Sequence, residues 1–201
     1  MRRSFNLRQS PHIVKSVPQL AGKRLIGRGA FAAVFEGSRP NTVYKLTSDA
    51  VSYWVLCDPY VGVKHRLLPK VVHNYGEVSE FRIKAEMFPV YLLELERLLP
   101  IRRGTPEKKL VRLIEKASHP RRFDDDEREL FMRASHRSNG LPPAVRQALR
   151  MLGDFVVNFP NAHADLCAQN FMRRVSGDVV FSDPLFDRQM FESFTAPSID
   201  R

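Results

Sequence analysis

The chain has 201 residues, room for one ordinary domain or two small lobes but not for two full-sized domains. Apolar residues make up 43% and charged residues 27%, which excludes wholesale disorder and collagen-like sequence; no apolar run approaches the ~20 residues that cross a bilayer. The 32 Lys and Arg against 22 Asp and Glu leave a formal charge of +10, a surplus that favours anionic partners and says nothing about fold.

The N-terminus from Met1 to Arg8 is basic but lacks an apolar core and a small-residue cleavage site, so no secretion is expected and the expected compartment is the cytoplasm. Residues 1–23, with Pro11 and Pro18, read as a basic arm. From Arg24 the pattern changes to short β-prone runs separated by turn signals: Arg24 to Ile26, Phe31 to Phe35 and Thr42 to Leu46, the last two joined through Gly37-Ser38-Arg39-Pro40-Asn41. These predict an antiparallel meander. A short helix is expected over 49–58, capped by Asp49 and ended by Pro59. Leu67 to Tyr75 and Phe81 to Leu99 read as two more strands, which makes five strands and one helix. The second half switches to helical spacing over Glu107 to Ala117 and Asp126 to Ser135, and again from Pro142-Pro143 through Phe155. Asn170 to Arg174 and Val179 to Ser182 then read as two small strands turning at Ser176-Gly177-Asp178. The expected fold class is α+β, with a β-rich part over 24–99 and a mainly helical part over 100–201.

Cys57 and Cys167 are too few for a disulfide scaffold and read as reduced thiols. Residues 1–35 hold seven basic side chains and no acid, and 102–122 hold eight against two, before Asp124-Asp125-Asp126-Glu127 reverses the sign. Each run reads either as a solvated surface or as a binding patch.

Three features carry chemistry. Gly27-Arg28-Gly29 sits on the first expected hairpin, where missing Cβ atoms would let backbone N–H groups approach a phosphate. It is neither a Walker A loop nor a dinucleotide fingerprint, because no Gly-Lys-Ser/Thr follows and the next segment is strand-like. Lys45, in Val43-Tyr44-Lys45-Leu46, shares a strand face with Val43, as expected of a phosphate-neutralising lysine at a cleft. The sharpest signal is His163-Ala164-Asp165-Leu166-Cys167-Ala168-Gln169-Asn170, followed by Ser182-Asp183-Pro184. A His-x-Asp-x-x-x-x-Asn match arises by chance about 0.01 times in a chain of this composition. Phosphoryl transfer uses one carboxylate to accept a hydroxyl proton, and an amide plus another carboxylate to hold Mg²⁺.

Over residues 24–187 the sequence resembles the protein-kinase-like phosphotransferases, most of all the short serine/threonine protein kinases of podophages related to phage T7. The likeness rests on the Gly-x-Gly-x-Phe loop, the Val-x-Lys strand, the terse catalytic loop ending in Asn170, and Ser182-Asp183-Pro184 where larger kinases have Asp-Phe-Gly. It implies a minimal bilobal kinase fold, with a five-stranded antiparallel N-lobe carrying one helix and a reduced, mainly helical C-lobe. It implies Mg-ATP-dependent phosphorylation of Ser or Thr in host proteins and in the chain itself, in the host cytoplasm. Carried over, Gly27, Gly29 and Phe31 belong to the loop over the phosphates and Val34 lies over the adenine. Lys45 contacts the α/β-phosphates, and Leu93, Glu94 and Leu95 form the hinge that reads the adenine edge. Asp165 is the base, His163 orients the loop, and Asn170 and Asp183 hold Mg²⁺.

The departures are specific. Ala32 replaces the third loop glycine, Ala164 the arginine of regulated kinases, and Cys167 the catalytic-loop lysine. No glutamate lies between Lys45 and Glu77 to pair with the lysine; Asp49 and Asp58 are the available acids. Two other readings stand beside the protein kinase. One is a pseudokinase-like protein that binds a host protein or nucleic-acid complex, and the other is a small-molecule kinase. The expected docking surfaces are the arm (Arg2, Arg3, Arg8, Lys15) and the cluster Arg102, Arg103, Lys108, Lys109, Arg112. Their expected partners are acidic or nucleic-acid-associated host proteins, such as transcription or translation machinery.

Overall fold

The computed structural model describes residues 11–58, 64–83, 86–119 and 126–195. The fold is α+β. The chain forms two units: one reaches to Tyr53 and takes Val71–Arg97 and the segment from Asp187, the other takes Trp54–Lys70 and Leu98–Phe186. The chain therefore passes between units four times, at Tyr53–Trp54, Lys70–Val71, Arg97–Leu98 and Phe186–Asp187, the third of these two residues before the expected boundary.

The first unit is built on five antiparallel strands, β1 (Leu25–Arg28), β2 (Ala32–Glu36), β3 (Thr42–Thr47), β4 (Val71–Ile83) and β5 (Glu86–Glu96), in the order β1-β2-β3-β5-β4. Strand alternation sorts the side chains onto two faces. Ala33, Phe35, Tyr44, Leu46, Val90 and Leu92 make the core face. Ile13, Val17 and Leu20 cover it together with Met190: Ile13 lies on α1 (Pro11–Ser16), Val17 and Leu20 at the start and end of the short 3-10 turn after it, and Met190 on a helix over Arg188–Thr195, none of which the sequence pattern revealed. Residues 11–20, expected as an arm, are thus a core element: Ile13 and Val17 are each only 1% exposed. Arg2, Arg3 and Arg8 lie outside the described residues.

α2 (Ala50–Cys57) follows β3. Asp49 caps it as expected, its Oδ1 accepting the Ser52 N–H at 2.9 Å; Pro59, expected to end it, lies outside the described residues. The sequence placed a strand break around Gly76, but β4 runs through it. Gly76 has φ +73° and sits at a register shift between Asn74 and Gly76, so the left-handed residue makes a bulge and not a turn. Leu67 is not in a strand; its carbonyl accepts the Phe181 N–H at 2.8 Å, and the Arg174 guanidinium binds the Arg66 and Leu68 carbonyls.

The second unit holds three helices, α3 (Pro106–Ala117), α4 (Glu127–Ala134) and α5 (Pro143–Asn158), near their expected bounds. Thr105 caps α3 by accepting the Lys108 N–H, and Asp126 caps α4 at Arg128 and Glu129. α4 and α5 approach closely because Gly153 has no side chain: a Cβ there would come within 2.9 Å of Phe131 Cβ. Two small sheets complete the unit. β6 (Leu99–Pro100), β8 (Phe171–Arg173) and β9 (Val179–Phe181) form one, and β7 (Ala162–Ala164) pairs β10 (Leu185–Asp187) in the other. The final helix, Arg188–Thr195, is α6. Among the described residues no helix is long and apolar enough to cross a membrane.

Candidate functional site

In the first unit four of the expected nucleotide residues fall on a single cross-strand row. Gly27 lies opposite Val34, Val34 opposite Lys45, and Lys45 opposite Leu93. Directly opposed residues share a face, so Val34, Lys45 and Leu93 stand together on the face away from the Phe35–Tyr44–Leu92 core.

Gly27 and Gly29 are not demanded by the backbone. Neither has a left-handed φ; the positive-φ glycines are Gly22, Gly76, Gly104, Gly140 and Gly177. A Cβ at Gly27 would meet Val34 Cβ at 3.6 Å, and one at Gly29 would come no closer than 3.9 Å to Ala32 O, both ordinary contacts. The tip from Arg28 to Ala30 is exposed, and Gly29 N–H donates to Ala32 O at 2.8 Å. Phe31 is buried where the sequence placed it in the nucleotide loop. Its ring meets Phe191 and Phe194 of α6 edge-on, at centroid distances of 6.3 and 5.8 Å, and its carbonyl accepts the Ser48 N–H at 3.0 Å. Phe31 anchors the base of the hairpin and does not line its tip.

Lys45 is 6% exposed, and its Nζ donates to Ser52 Oγ on α2 at 2.7 Å. Asp49, one of the acids available to replace a glutamate, spends its carboxylate on backbone: Oδ1 on Ser52 N–H and Oδ2 on Asp187 N–H. Asp58 closes α2, its N–H bonded to Trp54 O. Leu93, Glu94 and Leu95 do not form a linker. They lie inside β5, which is paired to β3 on one side and β4 on the other, and a strand paired on both edges keeps its amides in the ladders. Glu94 is buried, accepting from Thr42 Oγ1 at 2.8 Å. Arg97–Leu98, two residues further on, is one of the points where the chain passes from one unit to the other.

In the second unit the catalytic-loop residues are drawn together by backbone hydrogen bonds. Asp165 N–H donates to Pro184 O at 2.8 Å, and Ser182 and Asp183 N–H both reach Asn170 O, at 2.8 and 3.4 Å. Asn170 Nδ2 closes the loop on itself by donating to Asp165 O at 2.9 Å. Asp165, Asn170 and Asp183 are therefore neighbours through the main chain. Cys167 Sγ donates to Asp165 Oδ1 at 2.9 Å, which leaves Oδ2 without a partner among the described residues. Burial first, and then the Asp165 carboxylate, push the Cys167 thiol up to about 11, so at neutral pH it stays a proton donor.

Two carboxylates that the sequence did not single out fix this loop. Glu115 of α3 accepts the Ala168 N–H at 2.6 Å. Glu127, in the first turn of α4, accepts the Ala164 N–H at 2.8 Å through one oxygen and sits 2.7 Å from His163 Nδ1 through the other. Charge-assisted bonds of this kind contribute about 1.5–3 kcal/mol each. His163 is thus tethered by Glu127, the geometry of a loop-orienting side chain. His163 and Glu127 also line an open groove of about 920 Å³ with Asp126, Arg128, Asp154 and Asn158.

Among the described residues no three His, Cys, Asp or Glu side chains are grouped to hold a metal. Asn170 and Asp183 offer one amide oxygen and one carboxylate. That hard-oxygen pair suits Mg²⁺, which keeps several waters and takes substrate phosphate to complete its shell. No family model matches the chain, and no curated protein matches its sequence.

Proposed function

We propose that the chain is a pared-down Mg-ATP-dependent protein kinase that transfers the γ-phosphate to Ser or Thr hydroxyls. The observation that carries this reading is the main-chain knot that makes neighbours of Asp165, Asn170 and Asp183, the three residues the chemistry requires. The cross-strand row of Gly27, Val34, Lys45 and Leu93 adds the features expected of a nucleotide face.

In this reading Asp165 accepts the proton of the acceptor hydroxyl as its oxygen bonds the γ-phosphorus and the bond to the β–γ bridging oxygen breaks, releasing ADP. Cys167 fixes one oxygen of that carboxylate and leaves the other for the substrate. Lys45 neutralises the α/β-phosphates, its ammonium steadied by Ser52. Asn170 and Asp183 would hold Mg²⁺, which would supply neutralisation of the phosphate charge. Glu115 and Glu127 keep the loop in register.

A second reading, a pseudokinase-like binding protein, draws on two substitutions. No glutamate lies between Lys45 and Glu77 to take the place of the one the kinases supply, and Cys167 stands in place of the catalytic-loop lysine. Transfer of labelled γ-phosphate to a host lysate and to the chain itself, with and without Mg²⁺, separates the two. Asp165→Asn should keep ATP binding and lose about 10²- to 10⁴-fold in rate, and Asp183→Asn should also lose Mg²⁺-dependent binding. Undiminished transfer by Asp165→Asn overturns the assignment; ATP binding by the wild type without Mg²⁺-dependent transfer favours the second reading.

A further inference from the structure

We propose that the exposed face of α3 and the turn before it bind the phosphate backbone of duplex DNA. Lys109, Arg112 and Lys116 are all exposed and recur at helical spacings of three and four residues, so they form one ridge about 10 Å long. Arg102 and Arg103 extend it from the preceding turn and are exposed as well. None of the five makes an ion pair among the described residues.

The two acids of α3 do not offset this charge. Glu115 is committed to the Ala168 N–H, and Glu107 is turned toward the β8–β9 turn, its Oε1 3.6 Å from where a Gly177 Cβ would stand. Part of the surplus of +10 is thus displayed here as an unneutralised row carried by a helix and the turn before it.

The composition of the ridge selects the partner. A protein-docking face needs a desolvated apolar or aromatic centre, and here Leu113, at 45% exposure, is the lone large apolar side chain on the ridge. A membrane-surface helix needs an exposed apolar face, whereas Val111 and Ile114 are fully buried. Single-stranded nucleic acid is held by stacking on aromatic rings, and the ridge has none. A duplex backbone asks only for cations with reach, three of them here forked guanidiniums suited to phosphate. Contacts of this kind position and do not read sequence.

The test is fluorescence anisotropy of a 20-base-pair DNA duplex of arbitrary sequence, titrated between 50 and 200 mM salt. Five phosphate contacts give a log–log slope of about −4.5, an affinity loss of about 500-fold across that range. The variant Lys109→Glu/Arg112→Glu/Lys116→Glu leaves at most two contacts, and the loss should shrink to about 12-fold or less. Lys109→Gln/Arg112→Gln/Lys116→Gln should give the same shallow slope and serves if the reversed chain fails to fold. A control with equal charge change at the exposed Arg39, Lys64 and Arg150 should keep the steep slope. The proposal is overturned if the glutamine variant keeps the wild-type slope, if the control flattens it equally, or if polyglutamate of equal charge binds the wild type more tightly than the duplex.

Discussion

Replacing Gly27 and Gly29 by alanine separates a phosphate-cradling hairpin from an ordinary one, because fold and function should respond with opposite signs. An alanine Cβ at either position meets nothing closer than 3.6 Å, and neither residue has a left-handed φ. The native conformation therefore accepts it. Loss of glycine's freedom in the unfolded chain then stabilises by about 0.4–1 kcal/mol per site, or about 0.8–2 kcal/mol for the pair. A nucleotide would experience the reverse. Each methyl group occupies the space through which a backbone N–H would reach a phosphate oxygen, and one lost charge-assisted hydrogen bond costs about 1.5–3 kcal/mol, about 10- to 150-fold in Kd. The assays are urea denaturation of the free chain and calorimetric titration with Mg-ATP. A rise in stability with unchanged ATP affinity would refute the cradle. A fall in stability would refute the structural premise, since the glycines would then serve the turn.

Two further outcomes follow from contacts within each unit. Glu115→Gln keeps an acceptor but not a charge beside the Ala168 N–H, and should cost about 1 kcal/mol; hydrogen exchange at that amide should speed up while phosphoryl transfer slows and Mg-ATP affinity holds. A double-mutant cycle of Phe31→Leu and Phe194→Leu should return about 0.5–1.5 kcal/mol of coupling for the edge-on pair at 5.8 Å, read from denaturation midpoints; zero coupling would mean that α6 does not brace the hairpin.

What was legible in the sequence was local. The Asp49 cap and the proline start of α5 each announce themselves within a few residues, because capping and φ restriction act over that range. α1 escaped because the buried residues Ile13, Val17 and Leu20 keep helical spacing across Pro18, which divides the run into a six-residue helix carrying Ile13 and a short 3-10 turn capped by Val17 and ending at Leu20. Gly76 misled because a glycine in a strand reads as a break, whereas a two-strand ladder absorbs it as a bulge. The site's supports were illegible for another reason. Glu115 and Glu127 meet the loop across 53 and 37 residues of chain, and nothing in a carboxylate's own neighbourhood states which distant amide it will hold. The residues expected to form the hinge, Leu93-Glu94-Leu95, lie inside β5, two residues before the crossing at Arg97–Leu98, since the apolar pattern shows that a strand exists better than it shows where it ends.

These acids also explain how a chain with ample carboxylates presents so much positive charge. Asp49 is bonded to the Ser52 and Asp187 amides, Asp126 to Arg128 and Glu129, Glu115 to Ala168, Glu127 to Ala164, and Asp187 to Met190. Backbone N–H groups at helix starts and in tight loops want anions, and satisfying them draws carboxylates inward to the main chain, where they no longer offset lysine and arginine at the surface. Asp165 differs from these five. Its carboxylate holds no backbone amide, accepts only a thiol, and keeps an oxygen unengaged among the described residues. On the reading proposed above, that oxygen is the one left for the acceptor hydroxyl, in a loop that two other carboxylates hold still.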